Sequence, residues 1–352
     1  MKFSELQIIS HEAILSRFCQ SRIGVSPDQV SKNPGHFGAL GEPSEVFENY
    51  IHSNEPVFRS CLSIKNASFK GGVWNIFNHE QNYRIDFPLL DYSFRGYRDA
   101  YSNGYDEKIT DNYNYIGGNS LLLNGTWANE YYHFVNETIP KWLLATLVFP
   151  EVYFDTIIIG EQNKPYIKQW FQLLGIKFGS ILYAKANRQY KCENLYVPFL
   201  PSDPGRTSNF YTDFLRQKLV SLNPITSGLP KKLFLNRSTK RKLTNSTELY
   251  TKLKPLGFVE LYLEDFSVIQ QLNLMRQAEF IVAPHGAALV NTLNFTGCLV
   301  ELVGKNYQNP CYYDISLVLG NDYYYYQCDD NFGDLNINTD EFVKSISKIN
   351  LK

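Results

Sequence analysis

The sequence predicts an α/β protein, and three observations carry that prediction. From about residue 120 short apolar runs alternate with amphipathic helical stretches, a proline-rich break follows near residue 201, and the alternation then resumes. Residues 1–118 differ: they are rich in turn formers and aromatics, as in FKGGVWNIFNHEQNYRIDFPLLDYSFRGY, and predict short irregular strands rather than helices.

The first series runs LLLNGTW, a helix over YYHFVNETIPKWLLATLVF, a strand at FDTIIIG, a helix at KPYIKQWFQLLG capped by Gly175, and strands at ILYA and NLYVPFL. Pro201, Pro204, Pro224 and Pro230 surround a helix from about Asn209 to Leu222, so a domain hinge is expected between 201 and 230. The second series reads KLFLNR strand, STELYTKLKPLG helix, VELYLED strand, SVIQQLNLMRQAE helix, FIVA strand, GAALVNTLNF helix and LVELVG strand. That is a doubly wound unit, whose ligands sit at the C-terminal strand ends. The YYYY run at 323–326 is either a strand covered on both faces or a surface that stacks on a ligand, and TDEFVKSISKI closes the chain as an amphipathic helix.

Composition narrows the function classes. A chain of 352 residues holds about two domains. With 44% apolar and 20% charged residues and a formal net charge of -1, nucleic acid is not expected as the main partner. The N-terminus lacks the apolar core of a signal peptide, and the longest apolar stretch, Trp142–Pro150, is far short of a membrane span. The six cysteines are scattered without a CxxC pair, which suits reduced thiols in a cytosol. N-x-[ST] sequons at Asn66, Asn124, Asn136, Asn236, Asn245 and Asn294 are read as chance in an Asn-rich chain.

The chemistry concentrates in a few stretches. APHGAALVN, 283–291, places His285 between a strand and a small-residue helix start, where exposed N–H groups of Gly286, Ala287 and Ala288 would receive an anion and His285 would donate to it. The alternative is a core histidine capping the strand. Residues 231–254 carry eight Lys or Arg against one acid, and their strand ends near Arg237, on the edge where His285 emerges. Arg237 and Arg241 would fork onto a diphosphate, unless the loop is merely a solvated basic one. Asn245 or Ser246, with Glu248, fits a helix start. Glu301 is an acid on an apolar strand, placed either to accept ribose hydroxyls or to pair with the basic loop. His133 and Glu137 stand at i and i+4 on one helix face, a spacing at which a histidine can orient a carboxylate base, or at which the pair is only surface decoration.

Absences matter as much. GxGxxG, GxxxxGK[ST], GxSxG, HExxH and Asp-x-Asp do not occur, so dinucleotide oxidoreduction, P-loop hydrolysis, esterase chemistry and zinc hydrolysis lose their usual anchors. A sugar-nucleotide enzyme built this way neutralises the leaving diphosphate with Arg, His and a helix dipole rather than with a metal.

Three blocks in order resemble glycosyltransferase family 61, the former DUF563 proteins of capsule and surface polysaccharide loci and of plant and animal glycan synthesis. Tyr131-Tyr132-His133-Phe134 through Glu137 to Pro140-Lys141 resembles the first; Arg237-x3-Arg241-x3-Asn245-x2-Glu248 the second; Pro284 to Asn291, followed by Val300-Glu301-Leu302, the third. Together they cover roughly residues 120–305. Lys141, Ser246, Ala288 and Val290 depart from the usual Arg, acid, Gly and Thr, and the last two leave less room and one hydroxyl fewer at the phosphate turn, which allows a changed donor.

The resemblance implies a GT-B-like fold of two Rossmann-like domains facing a cleft, with inverting, metal-independent transfer from a nucleotide sugar and no cofactor. It implies that residues 1–118 form an irregular part of the acceptor-side domain, 119–225 its Rossmann-like body, 226–335 the nucleotide-sugar-binding domain, and 336–352 a C-terminal helix. Arg237, Arg241, His285, Gly286, Ala287 and Asn291 would hold the diphosphate and Glu301 the ribose. Glu137 would deprotonate an acceptor hydroxyl, with His133 orienting it or touching the donor sugar. Tyr132, Asn136, Lys141, Asn245 and Glu248 would touch the acceptor or support these groups. The expected partners are a nucleotide sugar and a glycan or lipid-linked glycan of the cell surface, in the cytoplasm, with the basic loop allowing peripheral contact at the inner face of the membrane. A nucleotide-sugar or glycan-binding subunit without turnover is the alternative from another class, and a hydrolase using Glu137 with a second carboxylate is a further one.

Overall fold

The structure is a computed structural model that describes residues 7–8, 19–23, 35–50, 59–72, 76–78, 81, 83–85, 112–124, 127–186, 188–199, 205–221, 228–331 and 333–349. Much of the aromatic-rich 1–118 segment, Pro201, Pro204 and Pro224 of the expected hinge, and the last residues of the chain lie outside the described residues. In chain order the strands are β1 (Gln7–Ile8), β2 (Cys19–Ile23), β3 (Phe37–Ala39), β4 (Arg59–Lys70), β5 (Ile76–Asn78), β6 (Tyr83–Ile85), β7 (Asn114–Leu122) and β8 (Thr156–Gly160). There follow β9 (Ser180–Ala184), β10 (Gln189–Pro198), β11 (Lys232–Asn236), β12 (Phe258–Tyr262), β13 (Phe280–Pro284), β14 (Cys298–Gly304), β15 (Asp322–Asn331) and β16 (Asp334–Asn336). The helices are α1 (Glu45–Glu48), α2 (Tyr131–His133), α3 (Ile139–Val148), α4 (Pro165–Leu173), α5 (Asn209–Ser221), α6 (Ser246–Leu253), α7 (Val268–Gln277), α8 (Cys311–Leu319) and α9 (Thr339–Ile346).

Two compact units result, one of Met1–Pro27 with Glu55–Pro204, the other of Asp28–Asn54 with Gly205–Lys352. The first holds a mixed sheet in the order β1-β6-β5-β4-β10-β7-β8-β9, with β2 also on β4. Strands β10, β7, β8 and β9 are parallel, and β4 runs antiparallel along β10. TIIIG of β8 is buried at every position, as a parallel strand covered on both faces requires. Strand β4 is twelve residues long, against the short irregular strands expected before residue 118. Its alternation is interrupted at Lys65-Asn66, both exposed, and Asn66 takes a left-handed φ of 51°, which hides the strand from a period-two search.

The second unit holds a parallel sheet in the order β12-β11-β13-β14-β15, with β3 added parallel and β16 antiparallel along β15. From β11 the chain passes through α6 to β12 on one side, then through α7 back across to β13 on the other. The order 2-1-3-4-5 is that of a doubly wound sheet, and its switch point lies between β11 and β13. The expected boundary at 225/226 falls inside this unit, and residues 28–54 belong to it as well. They do so because β3 pairs with Tyr323–Tyr325, Phe47 stacks on Tyr325 at 4.5 Å, and the Ser44 N–H donates to the Tyr325 hydroxyl at 2.8 Å. Tyr323, Tyr325 and Tyr326 are buried and Tyr324 is half-buried, so the tyrosine run is a covered strand. GAALVNTLNF, expected as a helix, forms a 3-10 helix over Ala287–Asn294. Its i to i+3 bonds, Leu289 N–H to Gly286 O and Phe295 N–H to Thr292 O, both 2.9 Å, hold the tighter winding.

Of the sequon asparagines, Asn124, Asn136 and Asn236 are buried, which leaves no room for a glycan on them. No described helix is long and apolar enough to cross a membrane. Cys61, Cys192, Cys298, Cys311 and Cys328 are buried free thiols, and burial pushes the Cys192 thiol up to about 12.

Gly175 ends α4 with φ 64°, donating from its N–H to Gln172 O at 3.1 Å while Ile176 N–H reaches Phe171 O at 2.9 Å. Only glycine adopts this turn without steric cost. Gly175→Ala is therefore expected to lower stability by about 1 kcal/mol in urea denaturation, and an unchanged midpoint would refute this account of the cap.

Candidate active site

In the first unit the chain leaves β7, moves outward to β8 and β9, and returns to β10 on the other side of β7. The C-terminal end of β7 is thus a switch point too, and the first motif block starts there. Lys141 reaches back from α3 to donate to Asn124 O at 2.6 Å, fixing the helix over the strand end. Between α2 and α3 the helix widens into a five-residue π turn, Phe134–Thr138, which contains Glu137. Such turns are rare and favour functional sites.

His133 Nδ1 lies 2.9 Å from Glu137 Oε1, so the i,i+4 pair expected from the sequence is formed. The His133 ring is edged by Trp127 at 4.9 Å and Tyr132 at 5.2 Å, which limits its rotation. Asn136 donates to the Tyr132 hydroxyl at 3.1 Å. Tyr132, Asn136, Glu137 and Lys141 are buried, whereas His133 keeps partial exposure. Tyr132 thus borders the histidine–carboxylate couple and Asn136 holds Tyr132, while Lys141 ties the helix to the strand end.

In the second unit Arg237 follows β11 directly and His285 follows β13, so both emerge at the switch point. Arg237 Nη1 donates to His285 O at 2.6 Å, and Arg241 Nε donates to the same carbonyl at 3.3 Å. The next carbonyl, Gly286 O, accepts from the Tyr312 hydroxyl at 2.6 Å. Gly286 itself is extended, a conformation open to any residue, but a Cβ on it would lie 1.8 Å from Arg237 Nη1. A side chain here would displace the guanidinium that lies against the glycine. This corrects one expectation: the space at Gly286 is filled by Arg237 rather than kept open for an anion, and Ala287 and Ala288 are half-buried beyond it.

Arg241 adopts a left-handed φ of 59°, an unfavourable conformation for a side-chain-bearing residue. The loop that carries it is tied down at both ends. Ser238 Oγ donates to Glu264 at 2.7 Å, and Leu335 N–H donates to Lys242 O at 2.9 Å. Its charges are sorted by these contacts: Lys231 pairs with Glu279 at 2.9 Å, Lys242 with Asp334 at 3.8 Å, and Lys252 with Glu248 at 3.1 Å and Asp340 at 2.8 Å. The two arginines instead converge on the His285 carbonyl. Burial first, and then the adjacent Arg241 charge, lowers the Arg237 guanidinium from its ordinary value, yet it remains a cation. A guanidinium has five N–H donors, so one bond to a carbonyl leaves capacity to fork onto an oxyanion.

The His285 ring is held from behind. Its Nδ1 is hydrogen-bonded to Glu301 Oε1, and the other carboxylate oxygen accepts from the Tyr323 hydroxyl. Burial, reinforced by the Glu301 charge, holds that hydroxyl well above the ordinary tyrosine value, so it stays a donor. Facing the Glu301 carboxylate, Nδ1 is the ring nitrogen assigned the proton.

Two expected roles change with these contacts. Glu301 is fully buried with both oxygens engaged, so it positions His285 and is not exposed to a ribose. Asn291 has no exposed surface and donates to Gln271 at 2.7 Å, joining the 3-10 helix to α7 instead of facing a diphosphate. Asn245 stands at the N-cap of α6 and Glu248 in its first turn, the helix start expected from the sequence; Asn245 also donates to Ile337 O at 2.8 Å, and Glu248 accepts from Thr339 and Lys252, contacts that lower its pKa. Tyr312, Tyr323 and Gln271 belong to the framework of the site but carry no motif signal, since each looks like an ordinary core or helix residue in sequence. Among the described residues no group of three or more His, Cys, Asp or Glu is placed to hold a metal ion.

Replacing Glu301 by Ala would strand the buried His285 Nδ1–H and the Tyr323 hydroxyl together. The expected loss is about 3 kcal/mol of unfolding free energy, read by chemical denaturation, and a neutral substitution would contradict the arrangement.

Comparison with known proteins agrees with these motifs. None of the curated proteins compared matches the chain. Residues 131–297 match the family model described as Glycosyltransferase 61, which spans the His133–Glu137 couple, the arginine loop and the His285 turn, and over that segment the chain is similar to glycosyltransferase family 61.

Proposed function

We propose that the protein is an inverting, metal-independent glycosyltransferase that moves a sugar from a nucleotide-sugar donor to a hydroxyl of a surface or capsular glycan, in the cytoplasm. The observation that carries this reading is the convergence of Arg237 and Arg241 on the His285 carbonyl at the switch point of the second unit. Two fixed cations beside a histidine at a C-terminal strand edge suit a diphosphate, whose negative charge grows as it leaves. Because these donors are already oriented, little reorganisation is needed when the charge develops.

Glu137 is the acceptor base in this reading. The acceptor oxygen attacks the anomeric carbon, its proton passes to the Glu137 carboxylate, and the bond to the nucleoside diphosphate breaks in the same displacement. His133, bonded at 2.9 Å to Oε1, holds the carboxylate in orientation, while Trp127 and Tyr132 hold the histidine. Glu301, Tyr323 and Tyr312 position the donor-side groups without touching the substrate.

The two halves of the reading are separable by mutation. Glu137→Gln should abolish transfer while leaving donor affinity within experimental error, and surviving transfer would remove Glu137 as the base. In a thermal-shift screen of UDP-, GDP-, CMP- and dTDP-sugars, one nucleotide class should stabilise the protein equally with and without EDTA. Arg241→Ala should weaken that donor roughly ten- to a hundredfold, and unchanged affinity would take Arg241 out of the donor site. Stabilisation that disappears with EDTA would rule out the metal-independent mechanism.

A further inference from the structure

We infer that Tyr307 is the stacking platform for the nucleobase of the donor, an assignment that rests on the donor-diphosphate reading of Arg237 and Arg241. Tyr307 is 47% exposed, although its ring borders the buried centre of the site. The Arg241 guanidinium carbon lies 5.1 Å from the ring centroid, over its face, and the His285 ring meets it edge-on at 5.4 Å. Half of the side chain still faces water, so a flat face is left for a ligand while the buried half packs against the site.

The backbone keeps it there. Tyr307 N–H donates to Gly304 O at 3.3 Å, Lys305 N–H to Cys328 O at 3.2 Å, and Asn306 N–H to Asp330 Oδ2 at 2.8 Å, so the turn after β14 is stapled to β15. The polar side chains beside the ring are already committed: Asn306 bonds Asp330, and Lys305 pairs with Asp329 at 3.0 Å. A sugar needs such rim groups to read its hydroxyls. A base needs only a flat face, and stacking on a ring backed by a guanidinium is independent of its hydrogen-bonding pattern. With Arg241 holding the diphosphate, the base is one ribose away, within reach of the ring that Arg241 covers.

Calorimetric titration of the full chain with inorganic pyrophosphate, with UDP, GDP, CDP and dTDP, and with the matching nucleotide sugar tests this. The wild type should bind its preferred nucleoside diphosphate more tightly than pyrophosphate. Tyr307→Ala should lose roughly 5- to 100-fold of nucleoside diphosphate affinity with pyrophosphate binding unchanged, and Tyr307→Phe should restore it. Unchanged nucleoside diphosphate affinity in Tyr307→Ala, an equal loss for pyrophosphate, or a loss confined to the sugar-bearing donor would each overturn the assignment. If pyrophosphate and every nucleoside diphosphate fail to bind the wild type, the donor-site reading itself falls and takes the platform with it.

Discussion

The second unit is organised around one buried carboxylate. Glu301 has no exposed surface, lies on a strand whose every position is buried, and accepts from His285 on one oxygen and Tyr323 on the other. Removing an ionised carboxylate from water costs several kcal/mol, and the cost is offset only when its oxygens are well hydrogen-bonded. The paired register of β13, β14 and β15 supplies that geometry, since Ala283 stands beside Glu301 and Glu301 beside Tyr325. With the imidazole fixed, the His285–Gly286 backbone turns its two carbonyls toward Arg237, Arg241 and Tyr312. The polar network therefore ties the strand interior to the turn at the surface.

Both units place their motif residues by the same topological device. In each parallel region the chain moves one way from its first strand and later returns to the other side, opening a crevice at that strand's C-terminal end. His133 and Glu137 follow β7, while Arg237 follows β11 and His285 follows its neighbour β13. In the first unit the local distortion is a π turn, and in the second it is a left-handed arginine with a long 3-10 helix. Of these, the left-handed Arg241 stores strain, which the contacts that pin its loop must sustain.

The basic stretch 231–254 shows how a charge pattern acquires meaning from its surroundings. On a linear view its eight cations are equivalent. In the fold, Lys231, Lys242 and Lys252 meet acids on neighbouring elements, and Lys232 donates to Leu256 O at 3.1 Å. Arg237 and Arg241, four residues apart, reach the same carbonyl because the loop between them is pinned by Glu264 and Leu335. What looked like a solvated loop is a sorted set of contacts.

The α/β class, nearly every element after residue 120, and the pairing of His133 with Glu137 were legible in the sequence, because periodicity and i,i+4 spacing are local properties that a helix or strand reads directly. The co-location of Arg237 with His285 was also legible, since two strands of one parallel sheet end on the same edge. Strand β4 was hidden by its interruption at Lys65-Asn66, and the membership of residues 28–54 in the second unit depends on ring stacking and pairing with partners nearly three hundred residues away. The roles of Glu301 and Asn291 were decided only by tertiary structure. A sequence shows that an acid lies on an apolar strand, but not whether its oxygens meet a tyrosine hydroxyl or water, and burial is a property of what packs around a residue rather than of the residue.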